Sequence, residues 1–294
     1  MEEYKLIVDS QYGYKKIVMG NDAVFNDFYR DDYYKKWQQS QREKIDKSVL
    51  IKERNEQDYS SWIENTYYMD VLEVINSHTE NMCKELLDVG CGTGKFIKCM
   101  TANGWNCNGV EPNIEAALVA RENKLNVFNG TLEEYALNQE DLFSVITMHN
   151  VLEHIPNPEK TLDLAKQLLN PGGILLIKVP NDFNKLQMDI NEIIINKCWW
   201  TKEVGHVNFF SFESLEKLLD DKGFDIIYKT CDFPMEFFVL MGDNYIDNQN
   251  LGKECHKRRM NFELNIDRKL RKEIYDKLAS IDLGRNIIIY AKKR

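Results

Sequence analysis

Residues 85–96, Glu-Leu-Leu-Asp-Val-Gly-Cys-Gly-Thr-Gly-Lys-Phe, constrain this chain more than any other stretch. The apolar run from Glu85 to Val89 reads as a buried parallel strand. Three glycines follow at alternate positions, Gly90, Gly92 and Gly94. An amphipathic segment then starts near Lys95, with Phe96, Ile97 and Met100 on one side. Strand, glycine turn and helix together make a cradle for a small ligand. Glycine lets the backbone turn sharply and leaves no Cβ between main chain and ligand. The helix N-terminus beyond it offers free N–H groups.

The spacing narrows the ligand. A dinucleotide fingerprint, G-x-G-x-x-G, would place its third glycine at position 95, where Lys95 stands. The pattern present is D-x-G-x-G-x-G, opened by Asp88. It resembles motif I of the class I S-adenosylmethionine (SAM)-dependent methyltransferases. That resemblance implies that Asp88, Gly90, Cys91, Gly92, Thr93, Gly94 and Phe96 surround the cofactor. The chemistry agrees with it. SAM has no pyrophosphate to neutralise; it carries an ammonium, a carboxylate and a sulfonium, so an acid at the strand end is tolerated.

Bulk properties bound the rest. At 294 residues the chain is long for one domain and short for two, so one α/β core with added segments fits. No long apolar run predicts a membrane span, and the acidic start MEEYKLIVDS is unlike a signal peptide. A formal net charge of -9 argues against a nucleic-acid partner. The seven cysteines form no C-x-x-C pair, so reduced thiols and a cytoplasmic location are expected.

From Glu85 onward strands and helices alternate. Strands are expected at 85–89, 106–111, 126–129, 143–148, 174–179, 224–229 and 286–291. Helices are expected to Asn103 and over 114–122, 132–137, 158–169 and 211–222. Asn157 caps the fourth helix, with Pro158 in its first turn, and Pro171-Gly172-Gly173 turns the chain into the fifth strand. Repeated units of this length build a parallel sheet covered by helices. The family resemblance implies a Rossmann-like α/β fold of seven strands in the order 3-2-1-4-5-7-6, the last antiparallel. Residues 1–80, dense in aromatics from Phe25 to Trp37 and periodic over 59–77, are expected to form a helical cap of two or three helices. Residues 81–294 form the SAM-binding domain, with substrate-side insertions at about 181–210 and 231–285. A charged helix is expected over 261–280.

Residues at strand ends carry the chemistry. Glu111 closes the second strand, where an acid can accept hydrogen bonds from both ribose hydroxyls; Gly109-Val110-Glu111-Pro112-Asn113 is similar to the family's segment there. Gly130-Thr131-Leu132-Glu133 resembles its adenine-side segment, so Thr131 and Leu132 join Pro112 in the cofactor set. The run from Met148 to Pro156 resembles the segment after the family's fourth strand, which places His149 and Asn150 near the methionine part of SAM. In ubiquinone-type O-methyltransferases two acids and a His at matching positions have been linked to a metal. Asn150 replaces the first acid here, so no metal is expected. Glu153 and His154 either brace the loop or, for His154, touch substrate. His206 lies in a segment similar to H-x-x-x-F-S/T of small-molecule methyltransferases. A neutral His can take a proton from a hydroxyl or ammonium as it attacks the methyl; it can equally hold its loop by hydrogen bonding. His206, His149 and His154 are the candidate catalytic residues. Tyr33, Tyr34, Glu236, Asn244, His256 and Arg259 are candidate substrate contacts, with a solvated helix face the other reading of Arg258-Arg259.

The expected activity is methyl transfer from SAM to a small-molecule acceptor, leaving S-adenosylhomocysteine (SAH). A loose similarity of the caps to bacterial polysaccharide and natural-product methyltransferases makes a sugar, sugar-nucleotide or natural-product hydroxyl the leading acceptor. An amine or amino sugar is the alternative. An NAD-dependent oxidoreductase and a non-catalytic SAM-binding module are the readings from other classes. Neither membrane nor nucleic acid is an expected partner, and oligomeric state is left open.

Overall fold

Unbroken apolar runs separated by amphipathic segments can be buried only as central strands flanked by helices. A computed structural model describes residues 6–8, 10–17, 59–137, 142–196, 198–202 and 205–294. Tyr33, Tyr34 and the aromatic cluster from Phe25 to Trp37 lie outside the described residues. The elements in chain order are β1 (Leu6–Val8), β2 (Lys15–Ile17), α1 (Met69–His78), β3 (Glu85–Val89), α2 (Lys95–Ala102), β4 (Asn106–Glu111), α3 (Ile114–Glu122), β5 (Asn126–Asn129), α4 (Leu132–Ala136), β6 (Phe143–His149), α5 (Pro158–Leu168), β7 (Leu169–Pro180), α6 (Lys185–Ile190), β8 (Asn208–Phe209), α7 (Phe212–Asp221), β9 (Phe224–Cys231), α8 (Glu236–Leu240), α9 (Gln249–Asn265), α10 (Arg268–Ala279) and β10 (Asn286–Lys293).

Seven strands form one sheet in the order β5-β4-β3-β6-β7-β10-β9. Counted from β3, this reads 3-2-1-4-5-7-6. β3, β4 and β5 pair in parallel, while β10 is antiparallel to both β7 and β9. The described residues divide into two compact units, one within 19–147 and 167–173, the other within 1–18, 148–166 and 174–294. No helix among the described residues is long and apolar enough to cross a membrane.

In the first unit, Leu86, Leu87, Ile97, Val145 and Ile146 are completely buried. Removing each such side chain from water contributes roughly 1.5–3 kcal/mol. The helix expected over 59–77 is present, with Trp62, Val71, Leu72 and Ile75 as its buried face. It contains a π turn over Glu64–Tyr68, beside which Thr66 Oγ1 donates to the Trp62 carbonyl at 2.7 Å.

In the second unit the structure departs from the expected all-helical N-terminal segment. Residues 6–17 form a hairpin, β1 against β2, and β2 extends onto β8. The hairpin is anchored by Tyr12, whose hydroxyl donates to Asp221 at 2.7 Å, and by Tyr14, which packs on Phe210. Its pairing partner lies some 190 residues away, and local periodicity carries no trace of such pairing. Two further boundaries differ. The expected turn at Pro171-Gly172-Gly173 is absorbed into β7, which runs without interruption from Leu169. The charged helix expected over 261–280 is two helices: the chain breaks at Ile266, and Asp267 caps α10 by accepting from the Leu270 N–H at 2.9 Å.

Candidate functional site

The cradle is built within the first unit. Asp88, the fourth residue of β3, is buried and accepts a hydrogen bond from Thr147 Oγ1 at 2.7 Å. Beyond the strand the backbone enters the left-handed region three times, at Gly90 (φ 71°), Gly92 (φ 55°) and Gly94 (φ 79°). A side chain at any of these positions would strain the turn. Gly94 is doubly required, because a Cβ there would overlap the Leu125 side chain. The Gly90 and Cys91 N–H groups donate to the Val110 carbonyl at 2.7 and 3.2 Å, which ties the loop to the end of β4. Burial pushes the Cys91 thiol up, so it remains a thiol.

Glu111 joins loop and strand. Its carboxylate is buried and accepts from the Gly92 N–H and the Asn113 N–H, both at 2.8 Å, one on each oxygen. A carboxylate has about four acceptor positions, so two such bonds leave capacity for a diol. Burial raises the Glu111 pKa, opposed by those two N–H groups and reinforced by Asp88.

The other predicted cofactor residues occupy varied surroundings. Phe96 is buried edge-on against Tyr68, with ring centroids 5.1 Å apart. Pro112 is half-buried, and its carbonyl accepts from Asn129 Nδ2 at 3.2 Å. Thr131 caps α4, accepting from the Glu134 N–H and donating its own N–H to the Glu134 carboxylate at 2.8 Å, while Leu132 is buried beneath. Thr93 is half-buried at the loop tip.

Three residues here, two of them within the 109–113 segment, were given no role of their own by sequence reasoning. Asn113 serves twice, through its N–H to Glu111 and as the side-chain cap of α3; an Asn before an amphipathic run is a readable cap signal. Gly109 is the second. Its Cβ would stand 2.6 Å from both Cys91 Sγ and Ile97 Cδ1, so the strand must be bare for loop and helix to sit against it. Thr147 is the third, and nothing in the sequence marks it as the partner of Asp88.

The second unit gathers another group. His149 ends β6, and Asn150 follows in the left-handed region (φ 55°), its N–H donating to the Lys178 carbonyl at 2.8 Å. The short helical turn Leu152–His154 is stapled to the 205–208 segment: Val207 N–H donates to the Glu153 carbonyl, and Asn208 Nδ2 donates to the carbonyls of Leu152 and Ile155. His154 Nδ1 lies 3.1 Å from the Gly205 carbonyl, and its Nε2 lies 3.8 Å from the buried Glu153 carboxylate. The His154 and His206 rings meet edge-on with centroids 4.7 Å apart. Glu153, His154 and His206 each present one ligand-type atom, all within 4.8 Å of one another. One carboxylate and two imidazoles suit a divalent transition metal as well as a proton relay. Burial, then the charge of Arg285, lowers the His206 pKa to about 4, so its imidazole is neutral at physiological pH.

The predicted substrate residues scatter. Glu236 is completely buried, Asn244 is exposed and His256 is half-buried. Arg259 was expected on a surface, whether as an anion contact or a solvated face. It is buried, 3.2 Å from Asp232 and 3.1 Å from Glu263, because α9 turns that face inward. Arg258 is exposed and pairs with Asp243 at 2.7 Å.

Residues 54–229, more than half of the chain, match the family model described as a methyltransferase domain. The chain belongs to the methyltransferase-domain family. It is a class I, SAM-dependent methyltransferase. It is 31% identical over 167 residues to a ubiquinone biosynthesis O-methyltransferase of Rickettsia canadensis, covering 53% of this chain and 69% of that one. A ubiquinone biosynthesis O-methyltransferase of Glaesserella parasuis is 33% identical over 128 residues, covering 40% and 54%. Apart from the Rickettsia protein, the chain spans about half the length of the curated relatives it matches. Among solved structures, the magnesium protoporphyrin IX methyltransferase of Synechocystis PCC 6803 with bound SAH has a TM-score of 0.53 at 11% identity, covering 93% of this chain and 100% of that one. The plantazolicin methyltransferase BamL with SAH also has a TM-score of 0.53, at 15% identity, covering 83% and 90%. At these identities the likeness is one of fold.

Proposed function

We propose that the protein moves the methyl group of SAM to a hydroxyl of a small polyhydroxylated acceptor, such as a sugar, sugar nucleotide or natural product, in the cytoplasm, where its seven free thiols would stay reduced. The observation that carries the donor side is the Glu111 carboxylate bound to the Gly92 N–H. It joins a ribose acceptor to a loop whose backbone enters the left-handed region at three glycines. In this reading Asp88, Glu111 and the 90–94 loop hold SAM, with Thr131 and Leu132 on the adenine side.

Bound SAM supplies an electrophilic methyl on a sulfonium, so the enzyme needs no nucleophile of its own. The residues orient the acceptor, exclude water and accept one proton. His206 is the proposed base. Its imidazole is neutral, and the Glu153 carboxylate lies within 4.8 Å of it to stabilise the imidazolium formed. The relatives' names as O-methyltransferases support oxygen as the acceptor atom.

Two measurements test this. SAM and SAH are expected to raise Tm while NAD leaves it unchanged; a rise with NAD alone overturns the donor assignment. Turnover with glycoside acceptors is expected to survive EDTA. Loss of activity on chelation, restored by a divalent metal, would reassign Glu153, His154 and His206 to a cation.

A further inference from the structure

Three polar side chains with buried oxygens, Gln187, Asn191 and Glu236, have no role in the chemistry above. Gln187 on α6 and Glu236 in the first turn of α8 are both completely buried. Gln187 Nε2 donates to Glu236 Oε1 at 3.2 Å, and Arg285 Nη1 lies 3.6 Å from the same oxygen. The other Glu236 oxygen, Oε2, is buried with no hydrogen-bond partner, as is Gln187 Oε1. Asn191 follows Gln187 by one helical turn and so lies on the same face; its Oδ1 is also buried without a partner. Glu236 Oε2, Gln187 Oε1 and Asn191 Oδ1 are thus three buried acceptors, while Gln187 Nε2 and the Arg285 guanidinium both face the other Glu236 oxygen. Native proteins rarely leave buried acceptors in this state, because desolvation is then uncompensated.

A ligand that brings donors would satisfy these acceptors. Its chemistry follows from the charges. A carboxylate or phosphate would be repelled by three oxygen acceptors. A free ammonium would meet the Arg285 guanidinium, which already neutralises Glu236. A neutral hydroxyl fits both sides, since it donates to the Glu236 and Gln187 oxygens and can accept from Arg285. Tyr245, whose pKa is raised by burial and by the charge of Glu236, stays protonated beside them.

We propose that Glu236, Gln187, Asn191 and Arg285 form a subsite that reads a pair of neighbouring hydroxyls on a neutral, sugar-type acceptor. This rests on the polyhydroxylated acceptor proposed above and assigns the residues that select it.

The test is direct binding to the full chain saturated with SAH, read by saturation-transfer NMR. The probes are methyl α-D-glucopyranoside, methyl α-D-mannopyranoside and methyl α-L-rhamnopyranoside, with 1,4-diaminobutane and succinate as charged controls. At least one glycoside is expected to bind, and neither control. Glu236→Gln keeps the shape but replaces the waiting acceptor with a donor; it is expected to weaken glycoside binding at least tenfold while SAH still raises Tm. Asn191→Leu, which leaves the Gln187–Glu236 pair intact, is expected to weaken it at least threefold and guards against misfolding of the first variant. Binding of SAH with no glycoside bound, unchanged affinity in both variants, or preference for diaminobutane overturns the subsite and leaves methyl donation standing. A glycoside that binds through these residues but is never methylated supports the subsite and removes sugars from the proposed reaction.

Discussion

Glu111 shows how one residue couples protonation to cofactor binding. Burial raises its pKa, so the folded apo protein favours the protonated form more than the unfolded chain does. Its contribution to stability is therefore greatest below the ordinary carboxylate pKa and fades as pH rises through the raised value. Cofactor affinity should run the other way, because the carboxylate accepts from a diol more strongly than the protonated acid does. SAM affinity is expected to fall on acidification at a pH above the usual carboxylate range, with the transition absent in Glu111→Gln; calorimetry across pH reads it. Glu111→Ala is expected to cost about 1.5–3 kcal/mol of SAM binding, the worth of hydrogen bonds to a charged group. Unchanged affinity would remove Glu111 from the site. His206 presents the complementary case. With its pKa lowered to about 4, turnover should show no histidine transition near pH 6.5. His206→Ala is expected to lower kcat on the order of 10²-fold with SAM affinity nearly intact. Full turnover in that variant would point to an amine acceptor, which needs less help from a base.

At the scale of the element, the β3–loop–α2 unit depends on what β4 omits. Gly109 has no side chain where Cys91 and Ile97 approach, and Val127 Cγ2 is also within 3.1 Å of the place a Cβ would take. Gly109→Val is expected to lower stability by about 1–3 kcal/mol through overpacking and to abolish SAM binding by displacing the loop. Denaturant unfolding and calorimetry separate the two effects. A variant that unfolds earlier but binds SAM normally would show that the loop tolerates the displacement. The same logic explains the 150s turn, whose position comes from Asn208 and Val207 rather than from its own sequence.

Across the whole molecule, the insertion after β9 is fastened by buried charge. Asp232 receives the Asn286 N–H and Nδ2 at 2.8 and 2.6 Å and faces Lys178 at 3.6 Å and Arg259 at 3.2 Å. Burial alone would raise the Asp232 pKa, but Arg259 and Lys178 overrule it and hold it low. Glu263 continues the chain of contacts, accepting from Arg259 and from the Tyr275 hydroxyl at 2.6 Å. Asp232→Ala removes the carboxylate that Lys178 and Arg259 share in the interior and is expected to cost about 3–5 kcal/mol, measured by urea unfolding at neutral pH. Because the folded pKa is depressed, that loss should shrink as pH falls through it, where wild type surrenders the same stabilisation. A variant as stable as wild type would show the network to be dispensable.

The sequence by itself determined the strand–helix alternation, the glycine cradle and Glu111, since each follows from residues a few positions apart: apolar period, turn chemistry and an acid at a strand end. The tertiary structure alone decided the rest. It pairs residues 15–16 with 208–209 as a hairpin edge, gathers Glu153, His154 and His206 into one cluster, turns Arg259 inward and sets Gln187 against Glu236. Each of these joins positions from tens to nearly two hundred residues apart, where strand order and packing select the partners and local propensity has no purchase.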